Sequence, residues 1–115
     1  MRFGLSEEII KKINTVFAAF PAIEHVVLYG SRAKGNYKHG SDIDLTMKGE
    51  KLTYSMLNEG SIALDDLLLP YTFDLSLWDH FSDPDLLKHI QRAGKIFYTK
   101  MSDTPVSRVD LIRSR

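Results

Sequence analysis

At 115 residues and 43% apolar composition the chain holds one ordinary hydrophobic core, and 7 glycines with 4 prolines are too few for a low-complexity or fibrous chain. Fifteen Lys+Arg balance fifteen Asp+Glu, so no overall field draws the protein to nucleic acid or anionic lipid, which disfavours a plain DNA-binding module. The absence of cysteine excludes a disulfide framework, a thiolate nucleophile and a zinc ribbon, and with no membrane-length apolar run and no signal-peptide order the expected compartment is the cytoplasm.

Leu5 to Phe20 sets Ile9, Ile10, Ile13, Val16, Phe17 and Phe20 at spacings of three and four, one apolar stripe on a helix. Ser6 is the expected cap, with Glu7 and Glu8 at the positive end of the helix dipole, and Pro21 ends the helix. His25 to Tyr29 is a β-branched and aromatic run stopping at Gly30, as in a buried strand, and Ser31 to Lys34 should form a short helical turn. After the turn-forming Asn36 to Ser41, Ile43 to Met47 alternates apolar and polar residues at the period of a half-buried strand. Thr53 to Leu69 reads as a helix interrupted by Gly60 and closed by Pro70, and Tyr71 to Trp78 as a third strand. Asp83-Pro84 opens a helix running to Gly94, Lys95 to Thr99 is a short edge strand, and residues 101–115 read as a loosely held tail after a domain spanning residues 1–100. The expected fold class is α+β, a mixed sheet of three to four strands flanked by helices.

Three features carry chemistry. Gly30-Ser31 ends a strand where a helical turn begins, so backbone N–H groups are free and a phosphate can approach without a side chain in the way, and Arg32 and Lys34 add cationic groups within the same turn. Taken alone, a Gly-Ser pair also simply turns a strand into a helix. Asp42-Ile43-Asp44 puts two carboxylates on one strand face about 7 Å apart along the chain. Their repulsion is relieved by a divalent ion, Mg²⁺ or Mn²⁺ from the hard oxygen ligands, or by solvent at a strand end. Asp74 breaks into the apolar strand Y-T-F-D-L-S-L-W and shares a face with Thr72 and Ser76, and a helix between strands two and three makes them parallel, bringing Asp74 level with Asp44. The four histidines form no competing metal site: His25 enters a strand, His39 lies in the loop, and His80 and His89 are too far apart for a helical pair.

G-S-R-A-K-G followed by S-D-I-D-L, with a third acid on the next long strand, resembles the signature of the nucleotidyltransferase superfamily typified by DNA polymerase β, in its smallest form, the minimal nucleotidyltransferase. The motif covers Gly30 to Leu45, and the order of elements extends the resemblance to about Tyr98. It implies that Gly30 and Ser31 hold a nucleoside triphosphate, that Asp42, Asp44 and Asp74 bind two metal ions, and that a nucleoside monophosphate passes to a hydroxyl with release of pyrophosphate. Two ions about 4 Å apart, bridged by Asp42 and Asp44, would hold the triphosphate and activate the acceptor, with Asp74 ligating the second ion or taking the acceptor's proton.

The chain stops soon after this sheet, so the acceptor site is expected from another protein. Small members resemble one half of a two-protein system whose other half is a helical protein of the HEPN or substrate-binding kind, and in toxin–antitoxin pairs the minimal transferase acts as antitoxin by adenylylating that partner. The expectation is a hetero-oligomer using ATP or another nucleoside triphosphate, with Tyr37, Tyr54 and Trp78 as interface candidates, although core packing also suits Trp78. The alternatives are a non-catalytic module that masks its partner and a transferase acting on a small hydroxylated molecule. An RNA acceptor would favour a basic groove beyond Arg32, Lys34 and Lys38.

Overall fold

A computed structural model describes residues 1–101; the expected tail lies, but for Met101, outside them. Helix α1 (Glu7–Ala18) starts where Ser6 Oγ accepts from the Ile9 amide at 3.2 Å, and it buries Ile10, Ile13 and Phe17. The helix stops short of the expected Phe20, because the Ala19 and Phe20 amides turn back to Val16 and Phe17 and tighten the last turn before Pro21.

The sheet contains β1 (His25–Tyr29), β2 (Ile43–Lys48), β3 (Phe73–Leu77) and β4 (Lys95–Thr99) in the order β3-β2-β1-β4. β1 runs antiparallel to β2 and β4, and β2 runs parallel to β3, as a helical crossover requires. That crossover is α3 (Tyr54–Asp65), capped by Thr53. Val26 and Leu28 on β1, Leu45 and Met47 on β2 and Leu77 on β3 point with α1 and α3 into one core, which also holds Phe17, Ile43 and Leu64. α4 (Pro84–Ala93) begins at the Asp83 cap and lies against the opposite face, where Ile90 and Gly94 meet Val27. All three central residues of β1 are therefore buried, whichever face they occupy.

Two expected boundaries move. α3 passes through Gly60, whose missing side chain lets the helix close on Leu75, but ends at Asp65 rather than Leu69. Leu68 adopts the left-handed conformation at φ +56° and breaks the run before Pro70 is reached. β3 starts at Phe73 rather than Tyr71, and Trp78 leaves the strand to open a 3₁₀ turn, Trp78–His80. No helix among the described residues is long and apolar enough to cross a membrane.

Candidate active site

The sheet register assembles the site. Tyr29 on β1 is paired with Asp44 on β2, and Asp44 with Asp74 on β3, so three polar side chains form one row across three neighbouring strands. Side chains alternate along each strand, which puts this row on the face away from α1 and α3. Asp42 lies just before β2; Asp42 and Asp74 are exposed and Asp44 is half-buried.

Asp44 is the electrostatic centre. Partial burial pushes its carboxyl above the usual carboxylate range, and the charges of Asp74 and then Asp42 push it further in the same direction. Asp44 thus stands within the field of both neighbouring acids. Among the described residues the ion pairs are Arg2 with Glu7 and Lys12 with Glu8, so none involves these acids. Nor is any group of three His, Cys, Asp or Glu side chains there already gathered tightly enough to grip one ion. Unneutralised hard oxygen donors nevertheless fit divalent cations brought in with a polyphosphate, which supplies further oxygen ligands.

Tyr29 and Ser76 belong to the same face; the alternation along β3 already sets Ser76 beside Asp74, whereas Tyr29 reads in the sequence only as part of a strand. The Ser76 side chain lies beside the Tyr29 hydroxyl, and Ser76 Oγ donates to the Leu45 carbonyl at 3.3 Å. Burial raises the Tyr29 hydroxyl pKa, the neighbouring Ser76 hydroxyl offsets part of that rise, and Asp74 and Asp44 add to it. The Tyr29 ring packs edge-on against Phe81, with centroids 6.1 Å apart. The period-two alternation that singles out Asp74 also marks Ser76, two residues further on.

Gly30 ends β1 at φ +75°, ψ −157° and opens α2 (Ser31–Lys34). A Cβ there would collide with the Asp44 carboxylate, so the turn and the acid occupy adjoining space. Ser31 is half-buried and Lys34 exposed.

Arg32 departs from the expected place in the anion cradle. Only 3% exposed, its guanidinium donates to the Ser41 carbonyl from Nε at 3.1 Å and Nη2 at 2.9 Å, and to the Phe3 carbonyl from Nη1 at 2.8 Å. It also lies 5.3 Å from the Tyr37 ring centroid and 5.1 Å from that of Tyr71. The planar fork therefore ties the N-terminal segment to the loop that delivers Asp42, while the Ile43 amide binds the Thr72 carbonyl on the other side of that acid. Arg32→Lys cannot reproduce the fork and is expected to cost about 2 kcal/mol, or roughly 10 °C in Tm. Thermal melts check this: an unchanged Tm with a raised nucleotide KM would place Arg32 on the phosphates instead.

The profile of the family described as polymerase beta, nucleotidyltransferase, matches residues 11–103. The chain belongs to that family. No curated protein matches it in sequence. In backbone, this nucleotidyltransferase is similar to a chain of a toxin–antitoxin crystal structure with AMP-PNP, at TM-score 0.64 and 22% identity over 96% of this chain and 86% of that one. It is similar also to a chain of MntA–HepT, at TM-score 0.61 and 19% identity over 95% and 86%. A third similarity is to a chain of a tri-AMPylated Shewanella oneidensis HEPN toxin in complex with MNT antitoxin, at TM-score 0.61 and 19% identity over 96% and 86%. At such identities the likeness is one of fold, and it extends over nearly the whole chain.

Proposed function

We propose that this nucleotidyltransferase moves AMP from ATP to a hydroxyl on a helical, HEPN-type protein partner and in doing so acts as an antitoxin. The observation that carries the reading is the convergence of Asp42 and Asp74 on a half-buried Asp44, with no ion pair to any of the three among the described residues. Converging carboxylates cost a simple binding module stability for no return, whereas a transferase of this family needs them. The toxin–antitoxin complexes of similar fold, one with AMP-PNP and one with an AMPylated HEPN toxin, support the choice of nucleotide and partner.

Asp42, Asp44 and Asp74 would hold two Mg²⁺ or Mn²⁺ ions, which supply charge neutralisation for the triphosphate and acidify the acceptor hydroxyl. The backbone of Gly30 and Ser31, bare of a side chain at its first residue, receives the triphosphate, and exposed Lys34 adds positive charge beside it. The acceptor oxygen attacks the α-phosphorus, the bond to the bridging oxygen of the β-phosphate breaks and pyrophosphate leaves. Asp74, exposed at the edge strand, faces the acceptor side and takes up the hydroxyl proton. Tyr29, half-buried and paired with Asp44 in the sheet register, flanks that acid on the side of β1.

Positioning is most of what phosphoryl-type transfer asks of a protein, and an open sheet face does not position an acceptor by itself. Transfer by the isolated chain is therefore expected to be slow, and a helical partner to raise it by orders of magnitude. Incubation with labelled ATP, Mg²⁺ and the product of the neighbouring reading frame, followed by mass spectrometry, tests this. AMP on the partner, lost with Asp44→Ala, is the expected result. Label only on RNA or a small molecule overturns the choice of acceptor, and a tight inhibitory complex without label points to a masking module.

A further inference from the structure

We infer that the outer face of α3 and the turn after it form the docking surface for a protein whose contact patch is basic around an apolar centre. The charge balance of the whole chain conceals a strong segregation. Residues 52–87 contain seven Asp or Glu and no Lys or Arg, and all the compensating positive charge lies elsewhere. This acidic stretch builds α3 on one face of the sheet, the edge strand β3, the 3₁₀ turn and the first turn of α4.

Apolar side chains stand out from that side. Tyr54 and Ile62, eight residues apart and so on one helix face with Asn58 between them, are 64% and 61% exposed. Leu68 is 88% exposed and held in the left-handed region, which a bulky residue adopts at a cost. Its amide closes the turn on the Asp65 carbonyl at 3.1 Å, so the strain fixes a leucine side chain in water next to the helix end. The exposure gains nothing within the chain and becomes favourable once a partner covers the side chain. Exposed Glu59, Asp65 and Asp66 lie among these anchors and select a Lys- or Arg-bearing protein, while they repel nucleic acid.

The surface and the candidate site share the edge strand β3, on opposite faces of the sheet. α3 packs on β3, which carries Asp74, and Tyr54 stacks on His80 of the following 3₁₀ turn with ring centroids 4.3 Å apart. A partner seated there would reach Asp74 only around the free edge of β3, because the acid row faces away from α3. In that one respect the inference rests on the transferase reading; the docking itself requires neither nucleotide nor metal.

The test uses the full chain without nucleotide and, as probe, a synthetic amphipathic helical peptide with lysines flanking a leucine face. Amide shifts followed by NMR are expected to gather over residues 54–69, with affinity falling several-fold as salt rises from about 50 to 500 mM. Ile62→Ser and Leu68→Gly should each weaken binding at least about fivefold while Tm is held or, for the glycine, raised, since glycine tolerates positive φ. Shifts centred on Asp42 and Asp44, no binding, or full affinity in both variants would overturn the docking surface. The two readings fail separately: AMP transfer to the partner protein at the parent rate by the Ile62→Ser/Leu68→Gly double variant removes the docking surface and leaves the transferase. Peptide mapping to α3 without any transfer does the reverse.

Discussion

Replacing Asp44 with asparagine is expected to reduce AMP transfer at least about 10³-fold and, at neutral pH, to leave the fold as stable as the parent or more so. The first effect follows from its place at the middle of the acid row, flanked by Asp74 in register and by Asp42 along the chain. The second follows from the direction of its pKa shift. Burial and two like charges hold the folded carboxyl above its ordinary value, so the folded chain binds this proton more tightly than the unfolded chain does. Stability from this group is complete below the unfolded value of about 4 and declines as pH rises through the window up to the raised folded value. At pH 7 ionised Asp44 is a net cost, which asparagine removes. Melts of both proteins should therefore differ most at neutral pH and converge towards pH 4, and a variant that melts well below its parent at pH 7 would contradict this account of the site.

Gly30→Ala should damage stability and catalysis together. At φ +75°, ψ −157° the backbone occupies a region that only glycine enters freely, so alanine costs about 1–3 kcal/mol in strain. The added methyl also meets the Asp44 carboxylate, and either the turn or the acid must move. Displacing such a group by about 1 Å is worth roughly 10²-fold in rate. Gly35→Ala is the control: Gly35 ends α2 at φ +89° with open space where its Cβ would stand, so it should lose stability of similar size and keep its activity. Equal loss of transfer in both variants would show that general destabilisation, rather than contact with Asp44, is responsible.

The parts of this architecture legible in the sequence are those set by local rules. Ser6 and Asp83 cap their helices because a short oxygen side chain precedes an apolar period, and α4 spans Pro84 to Ala93 as its proline start and Gly94 stop require. The facing of Asp44 and Asp74 followed from alternation and the parallel crossover, and the register pairs them directly. Arg32 was misplaced because its partners are remote: the Phe3 carbonyl lies 29 residues earlier and the Tyr71 ring far downstream, and no local pattern distinguishes a guanidinium that turns inwards. The end of α3 was read too late because Leu67, Leu68 and Leu69 continue an apolar run, while the left-handed turn at Leu68 has no glycine to announce it. Tyr29 read as an ordinary strand aromatic, since its hydroxyl acquires significance only when β3 brings Ser76 within reach.

The strand order also sets a timetable. β1 pairs on one side with β2, which follows it closely, and on the other with β4, the last of the described strands to be made. A ribosome adding about 5–20 residues per second needs roughly 3–13 s to synthesise the intervening stretch of about 65 residues. Throughout that interval the Val26–Leu28 edge has only one neighbour, an apolar strand offered to any other nascent chain. Helices α1 and α3 can already shelter its inner face, so what stays unprotected is the row of backbone groups that Lys95–Thr99 later takes up. The yield of soluble protein therefore depends on the final strand arriving promptly, and a pause in translation late in the message would be more harmful than one near its start.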